Sequence, residues 1–152
     1  DAITQGELVQ SLIDIGIGND TKSALQNLLR ILANMVRVCH YSGICHRDIK
    51  PANIILDKEN KTLRLIDFGS AADMKDFFRS GYNFEKSPCS PHYCAPEKFI
   101  DENYPWTFDV FSIGMIWLRC AFPHLHNKTS WNHFHDEFVA IDYNLDLWLQ
   151  QS

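Results

Sequence analysis

The segment HRDIKPANIILD, residues 46–57, decides how this chain is read. It sets an imidazole, two cations, a carboxylate, a proline and an amide directly ahead of three consecutive aliphatics. Asp67-Phe68-Gly69 follows, and Ala95-Pro96-Glu97 lies farther on. An isolated aspartate on a polar loop is most often a solvated turn residue, so none of these groups carries weight alone. Together they supply what moving a phosphoryl group requires: a base for the attacking hydroxyl, a cation for the transferred charge, and hard oxygen donors for a metal. Asp48 is the candidate base. Lys50, two residues on, points the same way in an extended segment and reaches the same phosphate. Asn53 offers an amide oxygen and Asp67 a carboxylate to the metal. Pro51 stiffens the loop, and Gly69 is expected to give its turn a positive φ.

Working outward, Leu25, Leu28, Leu29, Leu32, Met35, Val36 and Cys39 recur at spacings of three and four. They predict one buried face of a helix over residues 21–41, capped by Asp20 or Thr21 and ended by Ser42-Gly43. Leu8, Leu12 and Ile13 make a shorter periodic stretch. Gly16-Ile17-Gly18 lacks the third glycine and the preceding strand of a nucleotide fingerprint, so it reads as a loop. After the quoted segment, residues 54–56 and 63–66 flank the polar DKENKT and predict a small hairpin. Residues 67–97 hold few aliphatics, and a connection that long inside one domain points to function. Residues 108–122 are apolar nearly all round, as a central buried helix would be, and Pro123 stops them. A further helix is predicted around residues 131–141.

The 152 residues suit a single domain. The formal charge of −5 and pI near 5.7 disfavour a sequence-independent grip on nucleic acid. No apolar run approaches the ~18 residues of a membrane span. Five cysteines, an odd number without a C-x-x-C pair, predict reduced thiols and an intracellular setting. His40, His46 and His92 lie near cysteines, but the spacings match no zinc finger. No signal or transit segment is visible, and the chain, opening at Asp1, reads as a fragment.

H-R-D-x-K-P-x-N, then D-F-G, then A-P-E match the protein-kinase signature set in order and rough spacing. The chain resembles the large C-terminal lobe of a eukaryotic-type serine/threonine protein kinase. That fold is mainly α-helical with a small β-hairpin. The resemblance implies a partial kinase domain over 1–152, with the activation segment at 67–97 and the β-rich N-terminal lobe missing. It implies ATP and Mg2+ as cofactors, with Asp48 the catalytic base and Lys50 the contact to the γ-phosphate. Asn53 and Asp67 would be the metal ligands and Ile55 the floor of the adenine pocket. His46 and Phe68 would pack together, and Arg47 would answer a phosphate or acid on the activation segment. Lys50 points to serine or threonine acceptors. In CSPHYCAPE, Ser90 stands where such kinases carry the threonine that bonds the catalytic aspartate and lysine. Asp109 matches the buried aspartate that braces the catalytic loop, with Phe111 in place of the usual tryptophan. Ser80, Tyr82, Ser87 and Ser90 are possible phosphosites.

IDFGSAAD, YCAPEKFI, FDVFSIGMIWLRCAFPHL and DYNLDLW are similar to the thylakoid state-transition kinases of plants and algae, the Ala-Phe-Pro after the central helix and the Asp-Tyr-x-Leu-x-x-Trp element being the less generic parts. This implies a chloroplast location and protein substrates among light-harvesting or photosystem proteins, with membrane association only through regions outside this chain. Without the small lobe, the chain alone is expected to bind Mg-ATP poorly and to transfer no phosphate. A non-catalytic kinase-like docking module is the alternative, although docking has no need for Asp48, Lys50, Asn53 and Asp67 together. A small-molecule phosphotransferase is disfavoured by the A-P-E segment.

Overall fold

The computed structural model describes residues 5–77, 89–97 and 104–151. Ser80, Tyr82 and Ser87 lie outside the described residues. The long helix forms as predicted, and with the short helix before it gives α1 (Gln5–Asp14) and α2 (Thr21–Tyr41). Asp20 is the N-cap. Its carboxylate accepts from the Ser23 amide at 2.7 Å, and the Ser23 hydroxyl accepts from the Asp20 amide at 3.1 Å, a reciprocal capping box. Ala24, Leu28, Leu32 and Val36 form the buried stripe of α2. Leu29, expected on that stripe, is instead 41 % exposed, because it lies about 100° round the axis from Leu28. Gly18, between α1 and α2, serves packing. Gly18 has φ 110, and a Cβ there would stand 2.6 Å from the Ala24 amide nitrogen.

Four short strands follow: β1 (Ile44–Cys45), β2 (Ile54–Asp57), β3 (Thr62–Leu65) and β4 (Ala72–Asp73). β2 and β3 make the predicted antiparallel hairpin, with Ile54 opposite Leu65 and Asp57 opposite Thr62. Asp57 closes its turn by accepting from the Asn60 amide at 3.0 Å and from Arg64 Nε at 2.6 Å. β1 pairs antiparallel with β4, Ile44 opposite Asp73. Two-residue strands give no periodic signal, so this pairing was not predicted. It joins the chain before the HRD segment to the chain after DFG.

After the short α3 (Met74–Phe77) comes α4 (Thr107–Ala121), the predicted central helix. It packs on α1 and α2 and buries Phe108, Asp109, Ser112, Ile113, Met115, Ile116, Leu118 and Cys120. The Trp117 indole N–H donates to the Leu25 carbonyl at 2.9 Å, fixing α4 against α2. Pro123 ends the helix in a 3-10 turn. α5 (Lys128–Ala140) starts earlier than its apolar pattern suggested, because Asn127 caps it by accepting from the Thr129 and Ser130 amides. α6 (Leu145–Gln151) then brings Trp148 onto Phe134, with ring centroids 4.8 Å apart.

The main core runs through α1, α2, α4, α5 and α6. A second, smaller core of Cys45, Ala72, Met74, Cys94, Ala95 and Phe108 joins β1, β4, the A-P-E segment and α4. The loop of residues 46–53 lies between them. No helix among the described residues is long and apolar enough to cross a membrane.

Candidate active site

The HRD loop is held from both sides before any site residue is placed. From α4, the fully buried Asp109 Oδ2 accepts from the His46 amide at 2.8 Å and lies 2.9 Å from His40 Nε2. Its Oδ1 accepts from the Arg47 amide at 2.9 Å. Burial alone would push this carboxyl up; the bonds from His40, His46 and Arg47 outweigh it and hold the group below the usual carboxylate range. A buried carboxylate is tolerated because its charge meets three donors. On the other side, His46 Nε2 lies 3.1 Å from the Ile66 carbonyl, and the His46 and Phe68 rings meet edge to face at 4.8 Å. Arg47, with φ 69, donates from Nε to the Ser70 carbonyl.

So held, the loop gathers three of the predicted residues into one hydrogen-bonded cluster. Lys50 Nζ donates to Asp48 Oδ2 at 2.8 Å, and Asn53 Nδ2 donates to the Asp48 carbonyl at 2.9 Å. Ser90 joins them from 42 positions beyond Asp48. Its hydroxyl donates to Asp48 Oδ1 at 2.9 Å and accepts from Lys50 Nζ at 3.0 Å. Lys50 is extended (φ −152, ψ 164), and Pro51–Asn53 form a 3-10 turn that brings the amide back beneath Asp48. The Asp48 and Lys50 side chains stay 16 % and 30 % exposed, so the pair is reachable from solvent.

Asp67 reaches this loop through the backbone. The Ile66 amide donates to the Asn53 carbonyl at 2.9 Å, which seats Asp67 at the end of β3 beside the 3-10 turn. Its exposed carboxylate accepts from the Gly69 amide at 3.2 Å. The positive φ expected at Gly69 falls instead on Asp67, at φ 61. Aspartate tolerates that region because its short side chain bonds locally. Gly69 matters for approach, since a Cβ there would lie 3.1 Å from Asp67 Oδ1. Ile55, on β2, is 49 % exposed and offers an apolar face.

The donor set suits a hard divalent cation. Asn53 turns its amide nitrogen to Asp48, leaving its oxygen as the ligand atom, and Asp67 adds an exposed carboxylate. A softer trio, His40, Cys45 and Asp109, also converges within 4.8 Å. Its donors are already engaged, because Asp109 takes three bonds and Cys45 Sγ donates to the Pro105 carbonyl at 3.7 Å. That trio is a buried brace.

One expectation is overturned. The five cysteines are not all thiols: Cys89 and Cys94 are joined by a disulfide, with Cα atoms 5.5 Å apart. Cys39, Cys45 and Cys120 are free. Counting could not find the pair, because the C-x4-C spacing closes only when the turn at Ser90 brings both sulfurs together. The sequence reading also missed Arg119, which donates to the Tyr93 hydroxyl at 2.6 Å and lies over the Trp131 ring at 5.0 Å.

Residues 2–146 match the family model described as the protein kinase domain. The chain is 32 % identical over 148 residues to Arabidopsis thaliana serine/threonine-protein kinase STN7, chloroplastic, with 82 % of this chain and 26 % of that protein covered. It is 30 % identical over 152 residues to Arabidopsis thaliana serine/threonine-protein kinase STN8, chloroplastic, covering 84 % of this chain and 30 % of that protein. The chain thus spans less than a third of either relative. Its fold is similar to the crystal structure of a Stt7 homolog from Micromonas algae soaked with ATP, with a TM-score of 0.80 at 22 % identity. That match covers 98 % of this chain and 51 % of the other.

Proposed function

The chain belongs to the protein kinase family, and from that premise we propose that it carries the phosphotransfer site of an ATP-dependent serine/threonine protein kinase. The observation that carries this reading is the cluster of Asp48, Lys50 and Ser90 around one opening. Asp48 has its carboxylate oriented by three neighbours and accepts the proton of a substrate serine or threonine hydroxyl. Lys50, 2.8 Å away, meets the charge on the transferred γ-phosphoryl group. Asn53 and Asp67 would hold Mg2+, which when bound neutralises charge on the triphosphate. Ile55 offers its exposed face to adenine. Residues 67–97 are the activation segment of a kinase large lobe extending over 1–152, and Arg47, which donates to the Ser70 carbonyl, would answer a phosphate or acid on that segment.

Asp48→Asn should lower phosphotransfer by the native full-length protein on the order of 10²-fold or more, without loss of folding. Transfer of labelled γ-phosphate to a protein hydroxyl reads this directly, and near-normal rates in the variant would remove Asp48 from its role. The metal assignment is checked separately. Mn2+ should broaden the NMR signals of residues around Asn53 and Asp67, and Asp67→Ala should abolish that broadening.

Similarity to two chloroplast kinases supports a thylakoid setting, with light-harvesting or photosystem proteins as substrates. Label entering thylakoid proteins in preference to a generic basic protein would bear this out.

A further inference from the structure

The turn that begins at Ser90, closed by the Ser90 carbonyl accepting from the Tyr93 amide at 2.9 Å, docks onto one face of α5. Lys128, Trp131 and His135 recur at spacings of three and four, so they share that face. The buried Tyr93 stacks on Trp131 with ring centroids 5.5 Å apart. One residue earlier in the turn and one helical turn later in α5, His92 and His135 meet edge to face at 4.8 Å. Both are partly buried, the His135 side chain being 15 % exposed. Among the described residues neither ring makes a hydrogen bond; Asp136 Oδ1 stands 3.9 Å from His135 Nδ1, too far for one. Two imidazoles withdrawn from water with their ring nitrogens unused carry a desolvation cost that phenyl rings would not. His92 follows Ser90 by two residues, within about 7 Å along the chain, and the Ser90 hydroxyl bonds Asp48 at 2.9 Å. A substrate side chain about two or three residues from a hydroxyl held at Asp48 is therefore within reach of the pair.

We propose that His92 and His135 form a subsite that takes one carboxylate side chain of the protein substrate, close in sequence to the accepting hydroxyl, together with one proton from solvent. The proposal rests on the phosphotransfer reading of Asp48. The charged and titratable groups that face His92 are His135, Asp136 and Lys128 from α5 and Arg119 from α4. Burial first, then the His135 ring and the two cations, hold His92 below the usual histidine value, while Asp136 pulls the other way. His92 is thus neutral at neutral pH, and an arriving carboxylate raises its pKa and brings a proton in. The bound carboxylate accepts one N–H from an imidazolium and one from its neutral neighbour, the first a charge-assisted bond. One proton balances one negative charge, which suits glutamate or aspartate. Arg119 does not take the anion, because it donates to the Tyr93 hydroxyl at 2.6 Å and to the Leu125 carbonyl at 3.2 Å.

Binding can be measured apart from phosphotransfer, with the native full-length protein and peptides whose accepting serine is replaced by alanine. A single glutamate is moved through the flanking positions, with glutamine at the same place as the reference. Calorimetry at about pH 6.5 should show one glutamate position bound about tenfold more tightly than its glutamine counterpart. Heats in buffers of different ionisation enthalpy should show proton uptake on binding, and the preference should fade toward about pH 8. Glutamate bound no more tightly than glutamine at every position, or more tightly with no proton uptake, would overturn the proposal. His92→Phe and His135→Phe keep the ring contact and remove the N–H groups, so each should abolish both the preference and the uptake; a preference that survives both would refute the subsite. The wild-type pH series decides by itself if a phenylalanine variant misfolds. With the serine restored, glutamate should lower KM by a similar factor and leave kcat unchanged, and equal KM values despite tighter binding would remove the subsite from the neighbourhood of Asp48. No transfer to any peptide, with proton-linked binding intact, would sink the reading of Asp48 and leave the carboxylate subsite standing.

Discussion

Among the described residues, Ser90 is the side chain that touches both charges of the proposed catalytic pair, its hydroxyl donating to Asp48 and accepting from Lys50. Bonds to charged groups are worth more than neutral ones. Ser90→Ala should therefore lower turnover on the order of 10–100-fold, and Ser90→Thr should keep most of it. Steady-state phosphotransfer with all three proteins checks this, and an alanine variant of unchanged rate would make Ser90 a spectator. Asp67 shows a different constraint at the same scale. Its φ of 61 sets the carboxylate outward beside the Asn53 turn, and the absence of a Cβ on Gly69 leaves room for it. At these two positions the backbone matters as much as the functional group.

At the scale of elements, one helix organises the loop. α4 delivers Asp109 to the His46 and Arg47 amides and to His40 at the end of α2, so a helix, a loop and a second helix share one buried carboxylate. Asp109→Ala leaves two buried amides without a partner and should destabilise the fold by about 3–5 kcal/mol in urea titrations. The pH dependence follows from the lowered pKa. A carboxyl depressed in the folded state contributes stability that is fully present above its unfolded value, near 3.9, and is lost as pH falls through the folded value. The stability gap between wild type and Asp109→Asn should thus be constant from neutrality to about pH 5 and narrow below about pH 4. A gap unchanged to pH 2 would refute the assignment.

For the whole molecule, the aromatic cluster fastens the C-terminal helices to the core. Phe134 stacks on Trp131 at 5.2 Å and on Phe138 at 5.1 Å, with Trp148 edge-on at 4.8 Å. Phe134→Ala should cost about 3–5 kcal/mol, read as a lower thermal midpoint. α6 was not legible in advance, since seven residues give too short a period to stand out from a polar stretch. By contrast α2, α4 and the β2–β3 hairpin could be read directly, because apolar spacing and polar turns are properties of neighbouring residues. The clustering of Asp48, Lys50 and Asn53 was equally legible, since one loop carries them in fixed order. Leu29 on the solvent side of α2, the positive φ at Asp67 instead of Gly69, and the Cys89–Cys94 bond were not. Each depends on what lies opposite in space. The amino-acid order alone determined the elements and singled out the candidate reactive groups, which are local matters of period and composition. Tertiary structure alone decided that Ser90 meets Lys50 across 40 positions and that Asp109 meets Arg47 across 62, because chain folding sets such distances and local propensity does not.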